Sequence, residues 1–203
     1  YIGAGVILEE GAAGFEPGTV SMACHRSGYV GMVQLEDGRL DLAAAFDIEF
    51  VKRLGGLSNA ACRVISESGL SVPRTMQEAQ WQGTVKLTHQ RAELFGDRYL
   101  VAGDAAGYVE PFTGEGIAWA MASGQAVSSF ACRALSRSMS VVGPAWSQEY
   151  RRILGPRMRW CKAISFLLRQ PAFLNLAVRV LQMSPRLVGP IERSLSKPFA
   201  LSN

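Results

Sequence analysis

Short apolar runs, broken by glycine, serine and acidic residues, fill the first 46 positions of the chain. This pattern predicts strands over Gly3–Leu8, Val20–Arg26, Tyr29–Glu36 and Arg39–Phe46. Asp37-Gly38 lies between the last two. That dipeptide favours a type I′ hairpin turn, so the pair is expected to be antiparallel. Two helical stretches follow, Asp47–Leu54 and Ser58–Ser68. Gly55 and Gly69 stand where C-terminal caps are expected, and Ser58 or Asn59 can cap the second start. Pro73 then breaks the chain. Gly83–Thr88 and Arg98–Ala102 read as strands, and a long helix is predicted from about Glu115 to Arg137. After Pro144 the chain reads as helices broken at Pro156, Pro171, Pro185 and Pro190.

This order is β-rich, then strand–loop–helix, then helical. A self-contained doubly wound domain would alternate strand and helix from its beginning. The fold class expected is therefore α+β, with segments at 1–90, 91–140 and 141–203. The length of 203 residues suits one domain or two small ones, and 48% hydrophobic residues exclude a disordered chain. The chain opens at Tyr1 without Met, which implies processing or a piece of something longer. Tyr-Ile-Gly-Ala-Gly at Tyr1–Gly5 starts like a dinucleotide fingerprint. The third glycine of G-x-G-x-x-G would fall on Leu8, however, and loop-like residues follow instead of a helix. It reads as a glycine-bearing strand.

Four cysteines, Cys24, Cys62, Cys132 and Cys161, lie far apart without a C-x-x-C pair. Neither a disulfide scaffold nor a zinc site is expected, and free thiols point to a reducing, cytoplasmic setting. Cys24 and His25 are neighbours, yet adjacent strand residues face opposite ways and converge poorly on a metal. No run of about 18 uncharged apolar residues exists, so a spanning helix is not expected.

The net charge of +4 hides a split: residues 1–150 hold 11 basic and 16 acidic side chains, residues 151–203 ten and one. The basic set is Arg151, Arg152, Arg157, Arg159, Lys162, Arg169, Arg179, Arg186, Arg193 and Lys197. No nucleic-acid-binding motif accompanies it, so nucleic acid is not expected as a partner. Basic helices carrying Trp160, Phe166 and Phe173 suit peripheral contact with an anionic membrane. The other reading is a helical tail packed on its own domain with a solvated basic face.

The chemistry concentrates in YLVAGDAAGYVEPFTGEGIAWAMASG, Tyr99–Gly124. Asp104 stands at the carboxyl end of a short apolar strand, where open α/β sheets bind ligands, and a carboxylate there can accept hydrogen bonds from sugar-type hydroxyls. Ala105, Ala106 and Gly107 leave room for a flat ligand against the backbone. Gly114 and Gly116 expose N–H groups at a helix start, whose roughly half positive charge suits an anion. No Gly-Lys-Ser/Thr follows, so this is not a phosphate-binding loop of the Walker kind.

The string GDAAGYVEPFTGEGIAWAMASG closely resembles the second FAD-binding motif of flavoprotein oxidoreductases. The superfamily includes para-hydroxybenzoate hydroxylase-type monooxygenases, flavin halogenases and geranylgeranyl reductases. The form GDAAG-x-x-x-P-x-x-G-E-G-I is most similar to the geranylgeranyl reductase branch; the aromatic hydroxylases usually have His where this chain has Gly107. The resemblance implies a strand–loop–helix that completes an FAD-binding Rossmann-like domain. It implies that Gly103, Asp104 and Ala105 lie along the flavin, Asp104 on the ribityl hydroxyls. Pro111 would shape the loop beside the isoalloxazine ring. Gly114, Glu115, Gly116 and Ile117 would set the helix start near its pyrimidine edge. No metal is implied.

Gly28–Phe46 would then be two strands of a substrate-roofing sheet, although Val30–Gln34 replaces the aromatic-rich run of the geranylgeranyl reductases. The family's ADP-binding βαβ unit is not in the sequence, so the chain is expected to be the C-terminal half of a protein about twice as long. The expected activity is FAD-dependent oxidoreduction of an apolar lipid-, isoprenoid-, polyketide- or quinone-like substrate, with NAD(P)H as donor. Double-bond reduction leads, hydroxylation by a monooxygenase is the alternative, and a non-catalytic membrane-surface module is the second. Tyr29, His25, His89 and Glu110 can exchange protons, but none is assigned as catalytic.

Overall fold

The computed structural model describes residues 1–9, 14–168, 170, 173 and 179–183. They form two compact units, one built on Tyr1–Leu87 and the other on Thr88–Phe166. The class is α+β, with antiparallel pairing throughout the described sheets.

In the first unit, β1 (Ile2–Leu8), β2 (Val20–His25), β3 (Gly28–Gln34), β4 (Leu40–Phe46) and β5 (Gln82–Lys86) form one sheet in the order β2-β3-β4-β1-β5. The register pairs Ala4 with Ala44, Val30 with Ala44 and Met32 with Leu42. Successive strand side chains alternate faces, so this register sorts the sheet into two surfaces. On one, Leu8, Val30, Met32, Leu42 and Phe46 are buried. Helices α1 (Ile48–Leu54) and α2 (Leu57–Glu67) add Phe50, Val64 and Ile65 to the same core. Each large side chain so buried contributes about 1.5–3 kcal/mol. On the other surface Gly5, Ala43, Gly31 and Met22 line up across four strands. Ile7 and Val20 beside them are exposed.

The glycines of Tyr1–Gly5 behave as strand residues. Gly3 and Gly5 pair with Ala45 and Ala43, and the Gly3 N–H donates to Thr84 Oγ1 at 3.0 Å. A Cβ at Gly3 would lie 2.7 Å from that oxygen, so the glycine serves close packing.

The Asp37-Gly38 turn differs from the expected type I′. That type needs positive φ at both central residues, whereas only Gly38 is positive, at 87°. Gly38 N–H donates to Leu35 O and Leu35 N–H to Arg39 O. This is a three-residue loop, a type I turn closed by a left-handed glycine. Asp37 favours it by accepting from the Arg39 N–H and Nε. Those bonds hold its carboxyl below the usual range.

Asp47 caps α1 by accepting from the Glu49 N–H at 2.8 Å, and Gly55 ends it in the left-handed region. Gly69 follows the end of α2 with φ 75°. The start of α2 is a correction: its cap is Gly56, without a side-chain bond. Ser58 and Asn59 are used elsewhere, on Met76 O and Leu54 O.

In the second unit β6 (His89–Gln90) pairs with β9 (Gly107–Tyr108), and β7 (Phe95–Gly96) with β8 (Tyr99–Leu100). The expected strand Arg98–Ala102 shrinks to the two residues of β8, because its hairpin partner is only two residues long. Val101 still donates to Leu94 O at 2.8 Å. Helices α3 (Gly116–Ala134) and α4 (Met139–Leu168) follow.

Helix α4 starts before Pro144, after which a helix was expected to begin, and runs through Pro156, where a break was expected. Each proline follows a glycine, Gly143 or Gly155. A proline ring clashes with the Cβ of a preceding helical residue, and glycine has none. Its apolar face supplies Trp146, Tyr150, Leu154 and Cys161 to a core shared with Trp119 and Val101. Trp146 Nε1–H donates to Val101 O at 3.0 Å, and its ring lies 5.5 Å from that of Phe130. The expected breaks at Pro171, Pro185 and Pro190 lie outside the described residues, as do Arg169, Arg186, Arg193 and Lys197. No helix among the described residues is long and apolar enough to cross a membrane.

Candidate functional site

The motif folds as two 3₁₀ turns, separated by the short strand β9, and a helix. Gly103–Ala105 form a 3₁₀ turn after β8, Pro111–Thr113 form another, and Gly114-Glu115 lead into α3. Gly103 has φ 60°, a left-handed conformation that costs other residues about 1–2 kcal/mol. Its N–H donates to Ser123 Oγ at 2.9 Å, which itself donates to Ala120 O. The turn is thereby fastened to the helix that the same motif begins. Gly114 also sits at positive φ, 69°.

Asp104 and Ala105 are exposed, while Ala106 and Gly107 are buried. The Asp104 carboxylate makes no hydrogen bond or ion pair among the described residues. Its main-chain carbonyl accepts from His89 Nε2–H at 2.9 Å, so His89 serves to hold this turn. Beside it lies Tyr150, 4% exposed, whose hydroxyl has no partner among the described residues. Burial, and then the Asp104 charge, push the Tyr150 phenol up to about 12. Burial, then Asp104, then Cys161 raise Tyr108 in the same direction.

The N-terminus of α3 has no side-chain cap. Its first N–H groups therefore remain available to an acceptor. Glu115 precedes the helix, and its carboxylate meets Arg157 Nη1 of α4 at 3.4 Å. Ile117 is 78% exposed on the first turn. Beneath the Pro111–Thr113 turn, Thr113 Oγ1 lies 3.4 Å from Cys161 Sγ, which also reaches Glu110 O. Burial pushes the Cys161 thiol up. Glu110 is only 2% exposed.

The structure thus brings Gly103, Asp104 and Ala105 onto one turn packed against α3, and sets Glu115, Gly116 and Ile117 at its start. Of the four proton-exchanging residues, His89 and Glu110 belong to this unit. His25 and Tyr29 belong to the other, where His25 Nε2 faces Glu67 at 3.3 Å and its ring stacks on Phe50. The contacts of Ser123, Tyr150 and Arg157 with the motif are not expected from the sequence. Ser123 could have been found as the Gly116–Ala120–Ser123 face of one helix; Arg157, 42 residues from its partner, had no local signal. Among the described residues no group of three or more His, Cys, Asp or Glu could hold a metal ion.

A free carboxylate on a turn, small residues beside it and an uncapped helix start suit a ligand with both hydroxyls and an electron-rich edge. Asp104 could accept from ribityl-type hydroxyls and the α3 N–H groups could face a ring's negative edge, so these residues could hold a flavin.

No known family profile matches the sequence, and no curated protein matches it. The fold does match solved structures, among them proteins described as flavin-dependent halogenases and a probable FAD-dependent monooxygenase. The flavin-dependent brominase Bmp2 superposes with a TM-score of 0.68 at 14% identity, over 96% of this chain and 49% of the brominase. The myxobacterial chondrochloren halogenase CndH gives 0.62 at 17%, over 98% and 51%. PqsL, a probable FAD-dependent monooxygenase from Pseudomonas aeruginosa, gives 0.54 at 15%, over 85% and 49%. The chain spans about half the length of these structures and has the α+β fold of the matching part.

Proposed function

We propose that the chain is the C-terminal half of an FAD-dependent oxidoreductase acting on an apolar substrate, with NAD(P)H as electron donor. The observation that carries this reading is the unpartnered Asp104 carboxylate beside the uncapped start of α3. Gly103, Ala105, Pro111, Gly114, Glu115, Gly116 and Ile117 would complete the flavin contact. When bound, FAD supplies the redox chemistry; the protein positions and tunes it. Asp104 would orient the ribityl chain, and the helix start would favour the reduced ring's negative charge.

An apolar substrate is favoured by the Gly5–Ala43–Gly31 row of the sheet, which is small and uncharged, with Asp41 and Tyr29 flanking it on the same face. Monooxygenase-type chemistry is favoured by the solved structures of similar fold, named as halogenases and monooxygenases. Double-bond reduction is the second reading, favoured by Gly107 and by the Gly114-Glu115-Gly116 form of the motif. Oxygen uptake during turnover separates the two, since a reductase turns over without it.

The flavin reading is tested in the protein that contains this chain. Asp104→Ala should weaken FAD binding about tenfold or more, the loss of hydrogen bonds to a charged group. Flavin content after gel filtration reads the effect. Undiminished FAD in a folded Asp104→Ala protein overturns the assignment.

A further inference from the structure

A second site lies on α4. A cavity of about 310 Å³ is bounded by Arg151, Arg159 and Lys162 on its rim, His89 at one side, and Val109 and Met158. Among the described residues no carboxylate lines it. The three cations stand eight and three residues apart, which places them on one face of the helix. The neighbouring arginines of α4 are neutralised: Arg152 bonds Glu149 at 2.7 Å and Arg157 pairs with Glu115. Arg151, Arg159 and Lys162 have no such partner among the described residues. Three unpaired cations around one cavity repel one another and favour an anion between them.

Buried Val109 and half-buried Met158 give the cavity an apolar part, beside His89 and Gln90 and below the exposed cations. The same face of α4 continues four residues past Lys162 to Phe166, 62% exposed. A cationic cup beside an outward aromatic matches an amphiphile with an anionic head. Guanidinium groups bind phosphate oxygens through paired N–H bonds, and lysine adds a point charge. We propose that this cavity binds the phosphate headgroup of an anionic phospholipid and so holds α4 against a membrane surface, with Phe166 at the acyl boundary. The proposal does not rest on the flavin reading, and no flavin enters its readout.

Sedimentation with vesicles tests it. The chain should sediment with equimolar phosphatidylcholine and phosphatidylglycerol, and stay in solution with phosphatidylcholine alone. Arg159→Gln and Lys162→Gln should each weaken binding about fivefold, as expected for a cation near a charged bilayer. Arg137→Gln removes the same charge outside the cavity and should change binding by less than about twofold. Thermal melts confirm that each variant is folded. Equal losses in Arg137→Gln and Arg159→Gln would mean diffuse attraction and overturn the proposal. So would a chain whose melting point rises with inorganic phosphate but which ignores anionic vesicles: that ligand is a soluble phosphate, not a lipid.

Discussion

Burial and charge pull on His25 in opposite directions. Glu67, 3.3 Å from Nε2, favours the imidazolium, yet desolvation is the larger effect and lowers the group below the ordinary 6.5. The nearby Arg26, Arg63 and Arg53 push the same way. His25 Nδ1 accepts from the Ser27 N–H, which also suits the neutral ring. A depressed folded-state value means that the unfolded chain takes up its proton first. Stability is therefore present above 6.5 and is lost as the pH falls below it. Melting temperature measured from about pH 8 to about pH 5 should fall more steeply for the native chain than for His25→Gln. Parallel curves would show that His25 carries no such linkage. At the candidate site the same contest resolves differently, because Tyr150 has burial and Asp104 acting together and stays protonated throughout.

At the scale of elements, glycine placement decides where helices run. Gly124 lies exposed in α3 with nothing within 4 Å of a Cβ, so Gly124→Ala should add about 1 kcal/mol, the ordinary propensity difference. Gly155 in α4 is equally open by distance, but Pro156 follows it. Gly155→Ala should destabilise, since a Cβ there meets the proline ring. Urea denaturation of the two variants should give shifts of opposite sign; a stabilised Gly155→Ala would refute this account of the unbroken helix. Gly143 carries a further constraint, since a Cβ would fall 2.1 Å from the Phe95 ring. These cases show which elements were legible. The strands of the sheet and the start of α3 follow from local apolar patterning and turn residues, and they stand within a residue or two of expectation. The helix through Pro156 was not legible from proline alone, because the effect lies in the glycine–proline pair. The type of the Asp37-Gly38 turn depends on one φ angle that the dipeptide does not settle. At the site, the sequence expected Asp104 at a strand end, whereas it lies in the Gly103–Ala105 turn beyond β8, and the Gly103–Ser123 and Glu115–Arg157 contacts needed the folded chain.

For the whole molecule, the features proposed to face a flavin are unevenly distributed along a dinucleotide. On the proposed flavin reading, Gly103–Ala105 and the start of α3 would address the ribityl chain and the ring. The one stretch that looked like an ADP-binding fingerprint, Tyr1–Gly5, leads into β1, whose strand runs straight through both glycines and pairs on both sides. A strand of that kind offers no tight turn and no helix start to a pyrophosphate. Contacts at one end of a ligand leave the ordering of the rest uncompensated. The 203-residue chain on its own should therefore bind FAD with a Kd weaker than about 1 μM, and riboflavin should bind almost as well as FAD. Fluorescence titration with the two flavins measures both quantities. FAD held stoichiometrically through purification, or held much more tightly than riboflavin, would mean that the chain contacts the ADP moiety through residues other than this motif. Equal and weak affinities would locate the flavin grip at Gly103–Ile117 and leave the adenine end to a further half of the protein.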